Sequence, residues 1–237
     1  MKTTLLLALV LSLLAACRRQ AVEPAVPEDP DWLTLEVPGG RTTYAIAGDL
    51  DRTLLVTTHT TAYRSTDRGR TWQASKNFQG PVFGLAQRGD TLFALQAAGY
   101  DPDGQRMAGL VQYFTTDFGR TWQPNQQYYR WRDYRQPVGY ARAAGPAYAI
   151  RLNYSATPPG SSPLYSEPSD LLRTENGATR TLRLPAARVL ENLHLDAQNR
   201  LYVGAASCAH RTANAAGACP PNTETPAIIY VSRRPLP

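Results

Sequence analysis

Short apolar runs, each introduced by a polar turn, recur along the chain. They are Asp51-Arg52-Thr53-Leu54-Leu55-Val56, Gly89-Asp90-Thr91-Leu92-Phe93-Ala94-Leu95, Gly145-Pro146-Ala147-Tyr148-Ala149-Ile150 and Asn199-Arg200-Leu201-Tyr202-Val203. After a connection of variable length, each is followed by a second apolar run: Ala62-Tyr63-Arg64, Val111-Gln112-Tyr113-Phe114, Leu171-Leu172-Arg173 and Ile228-Ile229-Tyr230-Val231. Runs this short, bounded by Gly, Pro, Asn and Asp, predict strands. No stretch keeps a helical period over three turns, and Arg188–His194 is too short to count. The pattern gives four units of about 50 residues, the period of a repeat architecture.

The turn after the second run of the first unit reads Ser65-Thr66-Asp67-Arg68-Gly69-Arg70-Thr71-Trp72, and that of the second unit Thr115-Thr116-Asp117-Phe118-Gly119-Arg120-Thr121-Trp122. A carboxylate can accept hydrogen bonds from backbone N–H groups just ahead of it, and Gly supplies a positive φ without a Cβ clash. Trp72 and Trp122 then open a returning strand with a ring large enough to pin it to its neighbour. The spacing therefore predicts a stapled β-hairpin.

This pattern resembles the Asp-box, or BNR repeat, of β-propellers such as sialidases, sortilin-type receptors, some glucanases and photosystem-assembly factors. The resemblance implies that Ser65, Asp67, Gly69, Thr71, Trp72, Thr115, Asp117, Gly119, Thr121 and Trp122 are structural and lie on the outer rim, away from a central pocket. The third unit has only Thr174-Glu175-Asn176-Gly177-Ala178-Thr179, one residue short and without Trp, and the fourth only Ser232. Trp32 precedes Gly40 as Trp72 precedes Gly80, so Trp32-Leu33-Thr34-Leu35-Glu36-Val37 reads as a spare outer strand. The expected fold is all-β: a small β-propeller of about four four-stranded blades, closed by the N-terminal strand completing the last blade. An open or five-bladed ring is the alternative. The 43% hydrophobic content can fill one core, and 19 prolines and 17 glycines suit many turns.

Residues 1–17 have an early Lys2, an apolar run from Leu5 to Leu14, and end Leu14-Ala15-Ala16-Cys17. The run is too short to span a bilayer as a helix, and the flanks fit a cleaved signal. Leu-Ala-Ala-Cys resembles the bacterial lipobox, which implies lipidation of Cys17 and a membrane anchor in the cell envelope, at the outer membrane or cell surface; an ordinary signal peptide is the alternative. Residues 18–31, rich in charge and proline, read as a flexible tether, and residues 32–237 as the propeller. In an oxidising compartment Cys208 and Cys219 most simply pair as a disulfide. Two free thiols, or a Cys/His metal site with His210, are the other readings.

Three connections are long enough to carry a ligand site. Ala97–Ala108 holds Asp101 and Asp103 beside Gly104, too few oxygen ligands for a regular Ca²⁺ loop, and no metal or cofactor is expected. Asn153–Pro168 carries Tyr154 and Tyr165. Gln126–Gln136 interleaves Tyr128, Tyr129, Trp131 and Tyr134 with Arg130, Arg132 and Arg135. Aromatic faces stack on sugars, and guanidinium forks bind carboxylate or phosphate, so Tyr128, Tyr129, Arg130, Trp131, Arg132 and Tyr134 form a possible ligand-binding surface. The competing reading is an amphipathic strand whose Arg stems cover the rings. The formal net charge is +6, but an exported address disfavours nucleic acid.

A sialidase-type enzyme would need an arginine triad, a Tyr/Glu pair and an acid/base carboxylate, and the resemblance also implies an Arg-Ile-Pro-type motif and six blades. That motif is absent, and Glu36, Glu167, Glu175, Glu191 and Glu224 have no recognisable catalytic setting. The expectation is a monomeric, non-catalytic propeller binding a protein or glycan partner or acting as a scaffold. A glycoside hydrolase and an envelope assembly factor are the alternatives.

Overall fold

The computed structural model describes residues 29–126, 134–155, 165–207 and 225–236. The signal, Cys17, most of the tether, residues 128–132, Cys208, His210 and Cys219 lie outside the described residues.

The described elements are strands, β1 (Trp32–Val37) through β17 (Ala227–Ser232), arranged in four antiparallel sheets. Blade 1 runs from the axis outward as β2 (Ala45–Gly48), β3 (Leu54–Thr58), β4 (Thr61–Ser65) and β5 (Gln73–Asn77). Blade 2 is β6 (Gly84–Arg88), β7 (Thr91–Tyr100) and β8 (Arg106–Thr115), with its outer position split between β9 (Gln123–Pro124) and β10 (Gln136–Pro137). Prolines fit there because an outer edge leaves one N–H side unpaired. Blade 3 is β11 (Tyr140–Arg142), β12 (Ala147–Ser155), β13 (Tyr165–Glu175) and β14 (Ala178–Leu182). Blade 4 is β15 (Leu190–Leu195), β16 (Leu201–Ala205), β17 and, outermost, β1. Strand β1 pairs with β17 over its whole length, Trp32 opposite Ser232 and Val37 opposite Ala227. The chain is a four-bladed β-propeller whose N-terminal strand completes the last blade.

Blades pack face to face, so their middle strands are buried on both sides. Every residue of β3, β16 and β17 is buried, whereas the outer strands β5 and β14 are mostly exposed. Apolar clusters fill the seams. Leu35, Val37, Tyr202 and Ile229 of blade 4 meet Ile46, Leu54 and Val56 of blade 1. Ala45, Leu55 and Ala62 of blade 1 meet Leu85, Leu92 and Ala94 of blade 2.

The inner strands converge on one side chain. Asn192, buried at 3% exposure, donates from Nδ2 to the carbonyls of Tyr44 (2.9 Å) and Phe83 (3.0 Å), and its Oδ1 accepts the N–H of Gly139 (3.0 Å). Those three backbone groups lead into the inner strands of blades 1, 2 and 3, and Asn192 itself is on β15 of blade 4. A single amide thus ties all four blades at the axis, with both donors and the acceptor used. A bulge between Leu190 and Asn192 accompanies it.

The two boxes have the expected geometry. Asp67 Oδ1 accepts the Thr71 N–H at 2.9 Å, and Oδ2 accepts the Thr71 hydroxyl at 2.6 Å. The Ser65 hydroxyl donates to Asp67 at 2.9 Å and accepts the Gly69 N–H at 2.9 Å. Asp117 repeats this with Thr121 at 2.9 and 2.7 Å, and Thr115 with Gly119 at 2.9 Å. Gly69 and Gly119 have φ of +79° and +81°, and close approach constrains them as well. A Cβ would lie 2.8 Å from Leu35 Cδ1 at Gly69 and 2.7 Å from Leu55 Cδ1 at Gly119, in each case a leucine of the preceding blade.

The tryptophans reach the same way. Trp122 of blade 2 packs edge-on to Phe78 (centroids 5.1 Å apart), and its Nε1 donates to Ser75 Oγ on the outer strand of blade 1 (2.9 Å). Trp32 of blade 4 donates to the Arg183 carbonyl just beyond the outer strand of blade 3 (2.9 Å). Trp72 packs against the cluster at the seam of blades 4 and 1, where its Nε1 has no acceptor among the described residues.

The third unit differs from a shortened box. Asn176 and Gly177 both have positive φ (50° and 77°), which makes β13–β14 a two-residue hairpin of the type that Asn-Gly favours. The Ala97–Ala108 stretch is mostly strand, since β7 and β8 stay paired out to Tyr100 and Arg106. Likewise β12 and β13 stay paired out to Ser155 and Tyr165.

Two outcomes follow for stability. Asn192→Ala leaves four backbone groups, those of Tyr44, Phe83, Gly139 and Leu193, without their partner and should lower unfolding free energy by about 3 kcal/mol in urea denaturation. The Thr71 hydroxyl and N–H hold the Asp67 carboxyl down to about 2, and the Thr121 N–H and hydroxyl do the same for Asp117. Depressed carboxyl pKa values stabilise the fold above the ordinary value of 3.8, and the contribution is lost as pH falls toward 2. The thermal midpoint should therefore fall across that window, and by less in an Asp67→Asn/Asp117→Asn variant.

Candidate functional site

The two ends of the ring are unlike. One end carries the boxes and the turns between the first and second strand of each blade. The other carries the turns between second and third strands. There β7–β8 and β12–β13 extend as long paired hairpins, while in blade 1 only His59 and Thr60 join β3 to β4.

Local sequence explains the hairpin of blade 2. Asp101-Pro102-Asp103-Gly104 is turn chemistry. Asp101 Oδ1 accepts the N–H groups of Asp103 (3.1 Å) and Gln105 (2.8 Å), and Gly104 takes φ +77°. The carboxylate closes its own turn, and no group of three or more metal-ligating side chains occurs among the described residues. Gln105 Nε2 then donates to the Arg106 and Val138 carbonyls and braces the hairpin against the start of blade 3 (3.0 and 3.3 Å). The blade 3 hairpin is braced by Asp170, which accepts from Arg151 Nη2 and Asn153 Nδ2 at 2.9 Å each. The Asn153 amide, followed by the Arg151 guanidinium, lowers the Asp170 carboxyl pKa.

Between the hairpins lies a cleft of about 250 Å³, lined by Tyr100, Arg106, Asn153, Tyr154, Glu167 and Glu191. Tyr100 and Tyr154 are 68% and 52% exposed, and they are the exposed large hydrophobic residues among those described. At the floor, Arg106 Nη1 reaches across the ring to Glu191 Oε2 at 3.1 Å, tying blade 2 to blade 4. The Arg106 guanidinium lies 5.9 Å from the Phe83 ring, and Phe83 meets Tyr44 edge-on with centroids 5.7 Å apart. Burial raises the Tyr44 phenol pKa, the Glu191 charge adds to this, and Arg106 partly offsets it, so Tyr44 stays protonated at neutral pH. The cleft offers two aromatic faces above amide, guanidinium and carboxylate groups, which suits stacking and hydrogen bonding.

The residues expected from the sequence are distributed differently. The box residues all lie at the opposite end, as staples. Of the aromatic–arginine surface, only Tyr134 is described, and its ring packs on Phe93 with centroids 4.5 Å apart. Tyr128, Tyr129, Arg130, Trp131 and Arg132 fall outside the described residues, as does the Cys208–Cys219 pair. Tyr100, Arg106 and Glu191, which the geometry brings together, belong to no local motif. The available sequence signal was the Asp-Pro-Asp-Gly turn, which places Tyr100 and Arg106 side by side at the base of a hairpin tip.

The BNR/Asp-box repeat model matches residues 63–74 and 113–124. No curated protein matches the chain significantly. Among solved structures, the chain is similar to YCF48 bound to D1 peptide at 15% identity and a TM-score of 0.28, over 76% of this chain and 67% of that one. It is similar to YjhT at 12% identity and a TM-score of 0.28, over 75% of this chain and 59% of that one. The chain carries two BNR/Asp-box repeats, which form the stapled outer hairpins of the first two blades of a four-bladed β-propeller.

Proposed function

We propose that this chain is a lipid-anchored protein of the bacterial cell envelope whose propeller binds a protein or glycan partner without catalysis. The cleft between the long hairpins is its binding surface. The observation that carries this reading is the pair Tyr100 and Tyr154, whose rings stand exposed over one cleft at the end of the ring that bears the long hairpins. Exposed aromatic rings above fixed polar groups recur at recognition surfaces, where they bury much area at low entropic cost.

The cleft also favours a second reading, glycoside hydrolysis, because Glu167 and Glu191 both line it and that chemistry uses two carboxylates. Against it, a Glu191 oxygen is held by Arg106, so the carboxylate is engaged in a cross-ring tie.

The test is retention of envelope components by the full chain, with wild type compared with Tyr100→Ala/Tyr154→Ala. The double variant should weaken retention of a specific partner about tenfold or more. Equal retention by both proteins rejects the cleft as the binding surface. Turnover of aryl-glycosides by wild type that is abolished in Glu167→Gln rejects the non-catalytic reading. Trp131→Ala, measured the same way, should also weaken retention about tenfold if residues 126–136 extend the surface.

A further inference from the structure

A second surface lies on the outer rim toward the box end of the ring, opposite the hairpin cleft. It surrounds the point where the chain enters blade 4. Asp29 Oδ1 accepts the N–H groups of Asp31 (2.9 Å) and Trp32 (3.0 Å), which ties the start of β1. Beside it is a shallow pocket of about 270 Å³ lined by Asp31, Arg180, Leu182, Arg183 and Arg234 among others. Arg180 and Arg183 come from the exposed outer strand of blade 3 and the residue after it, and Arg234 from the segment after β17. Arg234 Nη2 meets Asp31 at 3.3 Å with both side chains well exposed. Exposed Arg233 adjoins, donating from Nε to the Asp29 carbonyl at 3.0 Å. Arg180, Arg183 and Arg234 thus line one pocket together with Asp31, and Arg233 adjoins it, at the rim where the tether joins the domain. Half-buried Leu182 and Leu236 form an apolar margin.

We infer that this rim is a docking surface for anionic lipid head groups, with Arg180, Arg183 and Arg234 receiving their phosphates. Guanidinium forks match phosphate oxygens in pairs, and clustered cations beside a membrane anchor are drawn to an anionic leaflet. The inference rests on the lipid-anchor reading for its geometry. Residues 18–28 separate Cys17 from Asp29, a span of at most roughly 40 Å even when fully extended. An anchor on that tether brings this rim to the bilayer, with the hairpin cleft at the opposite end of the ring.

The experiment uses the full chain carrying Cys17→Ser, so that no acyl chain contributes, in sedimentation with vesicles. Vesicles of phosphatidylcholine containing phosphatidylglycerol are compared with phosphatidylcholine alone. Binding should favour the anionic vesicles by about tenfold and weaken as salt rises from about 0.1 to 0.5 M. Inorganic phosphate at matched ionic strength should not displace it; displacement would mean a free-phosphate site and overturn the lipid assignment. Arg180→Gln/Arg183→Gln/Arg234→Gln should remove the preference, while Arg52→Gln/Arg70→Gln/Arg120→Gln, in the box-end turns of blades 1 and 2, should leave it intact. Equal loss in both triple variants, or no anionic preference at all, overturns the proposal. An unchanged thermal midpoint shows that the variants are folded. Lipidation of Cys17 is read separately, from the mass of the wild-type chain, so failure of the anchor and failure of the docking surface give different results.

Discussion

Four sheets meeting around an axis bring four strand ends into a space that excludes water, and every backbone group there needs a partner. Asn192 meets that constraint. Its amide is planar, short and carries donor and acceptor on one head, so it joins the Tyr44 and Phe83 carbonyls and the Gly139 N–H. An aliphatic residue would leave those groups unpaired, and a carboxylate would set oxygen against two carbonyls. The radial packing of the blades depends on this convergence, because each seam is positioned by where its inner strand begins.

Outside the axis, one directional device repeats at three seams. In three of the four blades the outer hairpin leans on the preceding blade. Gly119 and Trp122 reach blade 1, Gly69 and Trp72 reach blade 4, and Trp32 reaches blade 3. The seam between blades 2 and 3 lacks this device, since β13–β14 closes with Asn176-Gly177 and carries no tryptophan. Those are also the blades whose hairpins rise around the cleft. There Gln105 reaches Val138 at the start of blade 3, and the Arg106–Glu191 pair beside it ties blade 2 across the ring to blade 4. Polar cross-ties stand in for aromatic packing around the open cleft.

The division of labour between the two ends follows from connectivity. In an antiparallel blade the boxes and the first turns necessarily share an end, and the second turns occupy the other. Strong carboxylate staples keep the first end compact, and lengthening β7–β8 and β12–β13 elaborates the second without disturbing the core. The arginine-lined rim lies at the box end, on the outside of the ring. It arises because the first and last segments of the propeller meet on the outside of blade 4, a consequence of closing the ring with β1.

Local sequence determined the strands, the repeat period, the box staples and the closing strand, because each rests on short-range chemistry: Asp and Gly in a turn, apolar alternation, and a tryptophan at a fixed spacing. It also gave the reason for Gly69 and Gly119 in part, as positive-φ positions. Their packing against Leu35 and Leu55 came only from the assembled blades. Long-range geometry decided the rest. Asn192, Arg106, Glu191 and Tyr44 sit in ordinary strand contexts, and their neighbours are 53 to 148 residues away in the case of Asn192 alone. The cleft was hidden for the same reason, since Tyr100 and Tyr154 belong to different blades and share a cleft only once the ring has closed.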